Sequence, residues 1–506
     1  MKKILSILLS AVLLLGVTGG CGLKEPFDGA STAFATESNI GETVENENVE
    51  TEVAEDEVVE DESENLIIDQ TLKLWSFTPE TKIISLVYNE KNPNVNIEFT
   101  MVPDTQNQFA ESLINAISGG NVPDVVLLES AYVRRFVEMP GALMDLSEFD
   151  ALTDEIGGYK FARDIASYYG TTKAIAYNAT PGGVFYRRSL ALEYFGTDEP
   201  DMIQQYYMSD MSAFEQAAAI IREQSDGNTY IVGSVNEFIN PYFNNRSQPW
   251  IIDNRLEFDP LLNEILDVSR RFYDNGYIGH YPPLEDDYTP WGNNWFNGMS
   301  DSSEKQIFSY FLPTWGLPYV LMGFSSPFSV WNPTMEGSDT TGDWALVSGP
   351  LQYQWGGMWL AAMNDAQNPE GAKDFIKFAV FDEEHLKNWA TGVYTNDYLM
   401  GIDPTVADEL SQSAGNDFMF SQNVNREVTP LFDNSEFSEF LGGQNHYEAW
   451  DLIAGNTRAD NVQAYDFEIQ SLFVKNLDGY MRGEINREEF YEAFKEDVAE
   501  LLPDLD

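Results

Sequence analysis

Residues 71–99, TLKLWSFTPETKIISLVYNEKNPNVNIEF, contain the pattern that decides the fold. Residues 72–76 form a short apolar segment typical of a strand. Residues 80–91 carry apolar side chains on one face at helical spacing, and Asn92-Pro93 ends this helix. From residue 95 to 101 apolar and polar residues alternate, which predicts a strand with one buried face. The apolar face of the predicted helix consists of Ile83, Ile84, Val87 and Tyr88.

The same order continues along the chain. A second helix, with Phe109, Leu113, Ala116 and Ile117 on one face, stops at Gly119-Gly120, and residues 125–128 form a continuously apolar strand. The order βαβαβ predicts a doubly wound parallel sheet. Ligands of such sheets lie beyond the carboxyl ends of the strands. We therefore expect a binding edge at residues 77–80 and 129–132.

The N-terminus has the layout of a secretory signal. Lys2 and Lys3 precede an apolar run over residues 4–17, which is too short to span a bilayer. Thr18-Gly19-Gly20 then leads into Cys21, the only cysteine in the chain. This segment resembles a bacterial lipoprotein signal peptide, which implies cleavage after residue 20 and acylation of Cys21. The alternative is an ordinary cleaved signal with an incidental cysteine. A single cysteine excludes an intramolecular disulfide.

The residues after Cys21 predict an acidic, disordered tether over 21–65. They are crowded with Glu, and the chain has no Lys or Arg between residues 25 and 72. The formal net charge of the whole chain is -55, which argues against nucleic acid or an anionic membrane surface as a partner. The remainder, from about residue 66 to 506, is long enough for two lobes.

Several motifs together resemble the carbohydrate-binding, maltose-binding-like family of extracellular solute-binding proteins of ABC importers. They are the opening stretch, AISGGNVPDVVLLES (116–130), AIAYNATPGGVFYRRSL (174–190), WFNGM (295–299) and NPEGAKDFIKF (368–378). Their order and spacing match over most of residues 66–506. The segment 202–212 departs from the pattern because it lacks the Thr-Trp pair often found there.

The resemblance implies a periplasmic-binding-protein-like α/β fold with two lobes joined by a hinge. Each lobe would be a doubly wound, mainly parallel sheet with helices on both faces. The first lobe would comprise residues 66–178 and 358–428, and the second residues 179–357 and 429–506. Hinge crossings are expected at Pro181-Gly182-Gly183 and at Trp355-Gly356-Gly357, where glycine gives the backbone freedom.

The resemblance also implies a carbohydrate ligand in the cleft between the lobes. A sugar site needs flat aromatic rings for stacking, and amides or carboxylates for hydrogen bonds. The sequence offers aromatic candidates on the second lobe and at the hinge, and polar candidates at the ends of the first and third strands. Some have a structural alternative: a buried loop anchor for Trp315 and Trp355, and helix capping for Glu129 and Ser130. The candidates are Phe77, Thr78, Glu129, Ser130, Tyr242, Trp315 and Trp355.

No pattern favours catalysis, a cofactor or a metal. His280, His385 and His446 lack metal-ligand spacing, and the chain has no Walker A loop, no Gly-x-Ser-x-Gly elbow and no cysteine nucleophile. Arg187-Arg188 are expected to begin a helix with a solvated charged face. Asn368 and Asn486 are expected to cap helices.

We therefore expect a monomeric, lipid-anchored protein on the extracellular face of the membrane. It would capture a carbohydrate, expected to be an oligosaccharide, and deliver it to the permease of an ABC importer. The alternatives are a surface-anchored carbohydrate-active enzyme, a sugar receptor for a sensor kinase, and a binding protein for a peptide or a polyamine. The sugar itself is not specified by the sequence.

Overall fold

The computed structural model describes residues 70–78, 80–104, 108–279, 288–323, 340–406, 422–423, 431 and 435–505. The predicted signal peptide (1–20), Cys21, the tether (21–65) and His280 lie outside these ranges. The strands, in chain order, are β1 (Gln70–Ser76), β2 (Val95–Met101), β3 (Val125–Glu129), β4 (Ser167–Tyr168), β5 (Thr171–Thr172), β6 (Ile175–Ala179), β7 (Pro181–Arg187), β8 (Thr229–Tyr230), β9 (Ile251–Ile252), β10 (Arg255–Leu256), β11 (Gln306–Ile307), β12 (Ser309–Pro313), β13 (Trp344–Val347), β14 (Tyr353–Gln354), β15 (Met358–Ala362) and β16 (Gln422–Asn423).

Helices pack around these strands, and two short 3-10 turns (Ser147–Phe149 and Pro404–Val406) and a π-helix (Leu317–Met322) complete the elements of the described chain. The α-helices, in chain order, are α1 (Glu80–Lys91), α2 (Gln108–Gly119), α3 (Val133–Glu138), α4 (Asp150–Glu155), α5 (Lys160–Ala166), α6 (Arg188–Phe195), α7 (Pro200–Tyr207), α8 (Met211–Gln224), α9 (Asn236–Asn244), α10 (Leu261–Asp274), α11 (Asn293–Asn297), α12 (Pro369–Phe381), α13 (Glu383–Ala390), α14 (Asn396–Ile402), α15 (Ser435–Phe440), α16 (His446–Asn456), α17 (Asp466–Met481) and α18 (Arg487–Leu501).

A six-stranded sheet forms the centre of the first lobe, in the order β16-β6-β15-β3-β1-β2. β1 is parallel to both β2 and β3, with Leu74 opposite Val125, as the βαβαβ pattern predicts. β15 runs antiparallel to β3. The apolar residues predicted for β1, α1 and β3 are buried in one core. The α/β fold predicted from the sequence is thus confirmed.

The second lobe is built on a sheet in the order β12-β7-β13, with β14 also paired to β7. β7 runs antiparallel to each of these neighbours, and the short pair β8 and β11 is parallel. The expectation of a mainly parallel sheet is therefore wrong for this lobe. The physical reason is that β7 carries the chain into this lobe from β6 across Thr180, whereas β14 carries it back toward β15 beside the same crossing, so the two paired strands run in opposite directions.

Local sequence signals are confirmed at two helix starts. The Asn368 side chain accepts from the Gly371 amide (3.0 Å) at α12, and Asn486 and Glu489 form a capping box at α18.

Arg187 contradicts its predicted place on a solvated face. Its side chain is 0% exposed, because β7 directs it into the lobe, where it pairs with Asp343 (Nε to Oδ2, 2.6 Å) and Asp301 and lies over Trp344.

Candidate functional site

The carboxyl ends of β1 and β3 form one edge of the first lobe. β1 leads through α1 to β2, and β2 returns through α2 past β1 to β3. Right-handed crossovers therefore place α1 and α2 on opposite faces of the sheet. The gap between the ends of β1 and β3 is the switch point at which such sheets bind ligands. Phe77 and Thr78 follow β1, and Glu129 and Ser130 lie at the end of β3, so the structure brings these four predicted residues to the same edge.

Glu129 also caps the chain that follows it. One carboxylate oxygen accepts from the Ser130 hydroxyl (2.7 Å), and the other accepts from the Ala131 amide (2.7 Å), just before α3. Ser76 holds the other side of the edge, because its hydroxyl accepts from the Thr78 amide (3.0 Å) and donates to the Thr78 carbonyl (2.9 Å). Both strand ends are thus fixed by local hydrogen bonds.

A second acid, Asp104, joins this edge from the segment after β2. Burial raises the pKa of Asp104 to about 6, and burial with the nearby Asp104 charge raises the pKa of Glu129 to about 7. The Tyr132 hydroxyl faces both acids, and burial together with their charges raises the pKa of Tyr132 well above its usual value. The Tyr132 ring stacks on Phe109, with ring centroids 5.8 Å apart.

The hinge lies directly beside this edge. The chain passes between the lobes at Thr180 and again at residues 355–357, and the Trp355 amide donates to the Thr180 carbonyl (3.0 Å). The Ser130 amide donates to the Gly357 carbonyl (3.1 Å). Gly356 and Gly357 have φ values of +86° and +108°, which side-chain-bearing residues rarely adopt.

Three tryptophans of the second lobe and hinge form a continuous aromatic surface, which we call the tryptophan wall: Trp291, Trp315 and Trp355. The Trp291 and Trp315 rings are stacked (6.1 Å, 17°), and Trp315 meets Trp355 edge to face (5.4 Å, 71°). The Trp315 indole also donates to the Trp355 carbonyl (3.3 Å). Trp291 is 37% exposed and Trp315 is 8% exposed, so Trp291 offers accessible ring surface whereas Trp315 is largely covered by its neighbours.

Buried polar atoms without hydrogen-bond partners lie at the first-lobe edge, at the hinge and beside the wall. Buried polar groups are nearly always paired, and each exception in a native protein needs an explanation. Ligand hydroxyls or ordered water would pair these atoms. At these places they are Thr78 Oγ1, Asn178 Nδ2, Thr180 Oγ1 and Thr314 Oγ1, and others, such as Trp250 Nε1 and Trp450 Nε1, lie elsewhere in the described residues.

Tyr242 lies outside this group. It was expected in a ligand loop, but the structure places it within α9, where it is 1% exposed and its hydroxyl donates to Glu264 (3.2 Å). Burial of Phe238, Tyr242 and Phe243 in the second-lobe core stabilises a helix through Pro241, so the Asn-Pro sequence does not form a loop here. We therefore leave Tyr242 out of the site.

Sequence reasoning missed several residues of the site. Trp291 stands between Pro290 and Gly292, much as Trp315 stands between Thr314 and Gly316, so this pattern was available as a signal. Trp291 also has a φ of +74°, a strained conformation that is uncommon for a bulky residue and is often found at functional sites. Asp104, Tyr132, Asn178 and Thr180 carry no local signal and are brought together only by the fold.

Metal-ligand clusters, ionisable histidines and membrane-spanning helices would indicate other classes of protein. In the described part of the chain, no group of three or more His, Cys, Asp or Glu side chains is placed to hold a metal ion. His385 and His446 lie separately in apolar surroundings, and burial lowers the pKa of each to about 3. Across the same ranges, no helix has the length and apolar character needed to cross a bilayer.

The chain has a two-lobed α/β fold with a hinge between the lobes, and a polar and aromatic site lies beside the hinge. These features define the class of substrate-capturing binding proteins. The sequence profile of the bacterial extracellular solute-binding proteins matches residues 87–398, and the chain belongs to this family. The family consists of extracellular binding proteins, which confirms the prediction that the chain is not an enzyme. No curated protein sequence matches the chain.

Solved structures share the fold at low sequence identity. The sugar-binding protein MalE from Xanthomonas citri is 16% identical, with a TM-score of 0.62 over 86% of this chain and 97% of that one. The ABC transporter associated binding protein from B. animalis subsp. lactis Bl-04 in complex with β-1,6-galactobiose is 16% identical, with a TM-score of 0.55 over 85% of this chain and 97% of that one. The galacto-N-biose-/lacto-N-biose I-binding protein of Bifidobacterium longum is 15% identical, with a TM-score of 0.57 over 86% and 97%.

Proposed function

We propose that this protein captures a carbohydrate, in particular an oligosaccharide, between its lobes and delivers it to the permease of an ABC importer. The observation that carries the proposal is the tryptophan wall beside a hinge where buried polar atoms lack partners. Sugars combine apolar C–H faces with many hydroxyls, so they match aromatic rings on one side and polar groups on the other. The proteins of similar fold in complex with β-1,6-galactobiose and with lacto-N-biose support the same ligand class.

The proposed ligand groups come from both lobes. Thr78, Glu129 and Ser130 would form hydrogen bonds at the first-lobe edge, with Phe77 beside them. Trp315 and Trp355 would stack on the sugar rings, and Trp291 extends this surface. A ligand that contacts both sets binds the closed form more tightly than the open form, and so shifts the hinge equilibrium toward closure. Closure is then the state that a permease recognises.

The lobes are proposed with the boundaries given above: 66–178 with 358–428, and 179–357 with 429–506. β6 and β7 meet at the first of these boundaries, and β14 and β15 meet near the second. The proposed order of the N-terminal part is a signal peptide to residue 20, a lipid on Cys21 and a tether to residue 65.

Isothermal titration of the mature protein with a panel of di- to tetrasaccharides tests the ligand class. We expect at least one sugar to bind, and Trp315→Ala to weaken that binding about tenfold or more because stacking area is lost. Trp389→Ala, which removes a half-buried ring in the first lobe outside the site, should leave the affinity unchanged. Small-angle scattering should show a more compact protein with the bound sugar. If no sugar in the panel binds while another class of solute does, the carbohydrate assignment is wrong.

Lipid attachment has its own test. Cells given labelled palmitate should label the wild-type protein and not Cys21→Ser, and the variant should leave the membrane fraction. An unlabelled wild-type protein would exclude the lipid anchor while leaving the sugar assignment intact.

A further inference from the structure

Helix α16 is packed between the two lobes. Its Trp450 ring meets the Phe185 ring of β7 edge to face, with ring centroids 5.8 Å apart. Ile453 lies against the same strand, because its Cδ1 would be 3.0 Å from a methyl group added to Gly183. On the other side, Ala454 is buried in the core of the first lobe. The helix therefore contacts both bodies that a hinge motion would move.

The chain that follows α16 crosses the surface of the first lobe. Ala459 is buried in the first-lobe core. Asp460 pairs with Lys160 of α5 (3.1 Å), but this lysine side chain is 75% exposed, so the pair contributes little. The chain then returns to the second lobe at α17, where Asp466 forms a buried salt bridge with Arg246. We call residues 451–465 the strap, because they run from the second lobe onto the first and back again.

Two better-shielded polar contacts join the strap to the first lobe. The Tyr159 hydroxyl donates to Asp451 Oδ1 (2.9 Å), and Tyr159 is buried. At the far end of the strap, the Arg135 guanidinium of α3 lies over the Tyr465 ring, 5.6 Å from its centroid. These contacts connect residues that are about 300 positions apart in the chain, so only the arrangement of the lobes brings them together.

A hinge rotation would change these contacts. Tyr159 precedes α5, which is fixed to the first lobe because the Ala162 carbonyl accepts from the Trp359 indole (2.9 Å). Asp451 lies on α16, which buries Trp450 and a neighbouring isoleucine against the second lobe. The two ends of the hydrogen bond therefore belong to different bodies. Any rotation about the crossings at residue 180 and residues 355–357 alters the distance between them.

We propose that the strap is a latch that sets how the two lobes rest against each other in the protein without ligand, with Tyr159 and Asp451 as its main polar contact. Such a latch determines how much of the hinge motion remains for a ligand to drive, whatever that ligand is. With the contact in place, the lobes are held in the described arrangement. Without it, they should sample a wider range of arrangements.

Pulsed electron spin resonance measures the distance between spin labels on the two lobes in the absence of ligand. Cys21→Ser leaves the chain without a native cysteine, and Glu111→Cys on α2 and Glu223→Cys on α8 place one exposed label on each lobe. In this background, Tyr159→Phe and Asp451→Ala should each broaden the distance distribution. Because both changes remove the same hydrogen bond, the double variant should broaden it no further than Asp451→Ala alone.

Two controls separate the latch from a general loss of stability. Tyr491→Phe removes a hydroxyl that donates to Asn263 (3.2 Å) inside the second lobe, and should leave the distance distribution unchanged. A second pair of labels, at Glu111 and Glu155, lies within the first lobe and reports whether that lobe has itself loosened. The distance between these two labels should be the same in every variant.

The outcomes decide the inference without any ligand. Broadening between the lobes alone supports the latch. An unchanged distribution in Tyr159→Phe and Asp451→Ala overturns it. Broadening that Tyr491→Phe reproduces, or that the labels within the first lobe share, also overturns it, because the contact would then support local structure instead of the arrangement of the lobes. Since no sugar is present in this experiment, failure of the latch leaves the carbohydrate assignment to its own test.

Discussion

Replacing Gly357 by alanine should damage the hinge more than the same change at a matched glycine elsewhere. Gly357 has a φ of +108°, and a methyl group there would lie 3.0 Å from Trp359 Cη2 and 3.3 Å from Thr180 Oγ1. The Trp359 ring cannot easily move, because its indole donates to the Ala162 carbonyl (2.9 Å). Gly443 has a similar φ of +95°, but no atom lies within 4 Å of its added methyl group.

The two variants therefore separate the cost of backbone strain from the cost of steric contact between the added methyl group and its neighbours. Strain costs about 1–3 kcal/mol at either position, and loss of glycine's freedom in the unfolded chain returns about 0.4–1 kcal/mol. Gly443→Ala should thus lower the free energy of unfolding by up to about 2.6 kcal/mol. Gly357→Ala should lower it by about 1–3 kcal/mol more, the usual cost of overpacking.

Urea denaturation followed by tryptophan fluorescence and by circular dichroism measures both changes. On the proposed function, Gly357→Ala should also weaken ligand binding, because Gly357 holds Ser130 beside the site, and Gly443→Ala should not. If Gly357→Ala costs no more stability than Gly443→Ala, then the close contact at the hinge does not constrain the backbone, and the reasoning fails.

Two further predictions concern buried charge. Burial raises the pKa of Glu129 to about 7 from its ordinary 4.5, so the folded state holds the proton more tightly than the unfolded state. The wild type should therefore lose up to about 3 kcal/mol of unfolding free energy as the pH rises from 4.5 to 7, whereas Glu129→Gln should lose less. Urea titrations at several pH values measure both losses. Equal losses in the two proteins would contradict the prediction. Asp343→Ala removes the less exposed of the two carboxylates that pair with the fully buried Arg187, and should lower the free energy of unfolding by about 3 kcal/mol. Asp301→Ala removes a side chain that is 62% exposed, and should lower it by less than about 1 kcal/mol. The same denaturation assay compares these two variants, and similar costs would show that burial does not set the strength of the pairing.

The βαβαβ part of the first lobe could be predicted because each of its elements has a local pattern. The stripe of α1, the alternation of β2 and the apolar run of β3 are each sufficient to assign an element, and their order fixes the topology. The direction of β7 could not be predicted in the same way. Its sequence is compatible with either direction, and the direction follows from the place where the chain enters the second lobe.

The site was predictable only in part, for a similar reason. Glu129 and Thr78 could be identified because strand ends in a parallel sheet have a known role. Arg187 was misassigned because a charged side chain at the start of a helix is usually solvated, and its partners, Asp301 and Asp343, are more than a hundred residues away. Tyr242 was misassigned because the packing of α9 overrides the tendency of Asn-Pro to form a turn.

Two of the residues that sequence analysis missed share a physical property. Asn178 and Thr180 each bury a polar atom without a partner, at a cost of about 1–3 kcal/mol each. Ordered water or a ligand that pairs these atoms removes the cost. A ligand that pairs these atoms recovers the cost only when it reaches both the first-lobe edge and the hinge at once. A molecule that lacks a matching polar group would leave one of them buried and unpaired, so the same atoms that favour binding of the right ligand also discriminate against the wrong one.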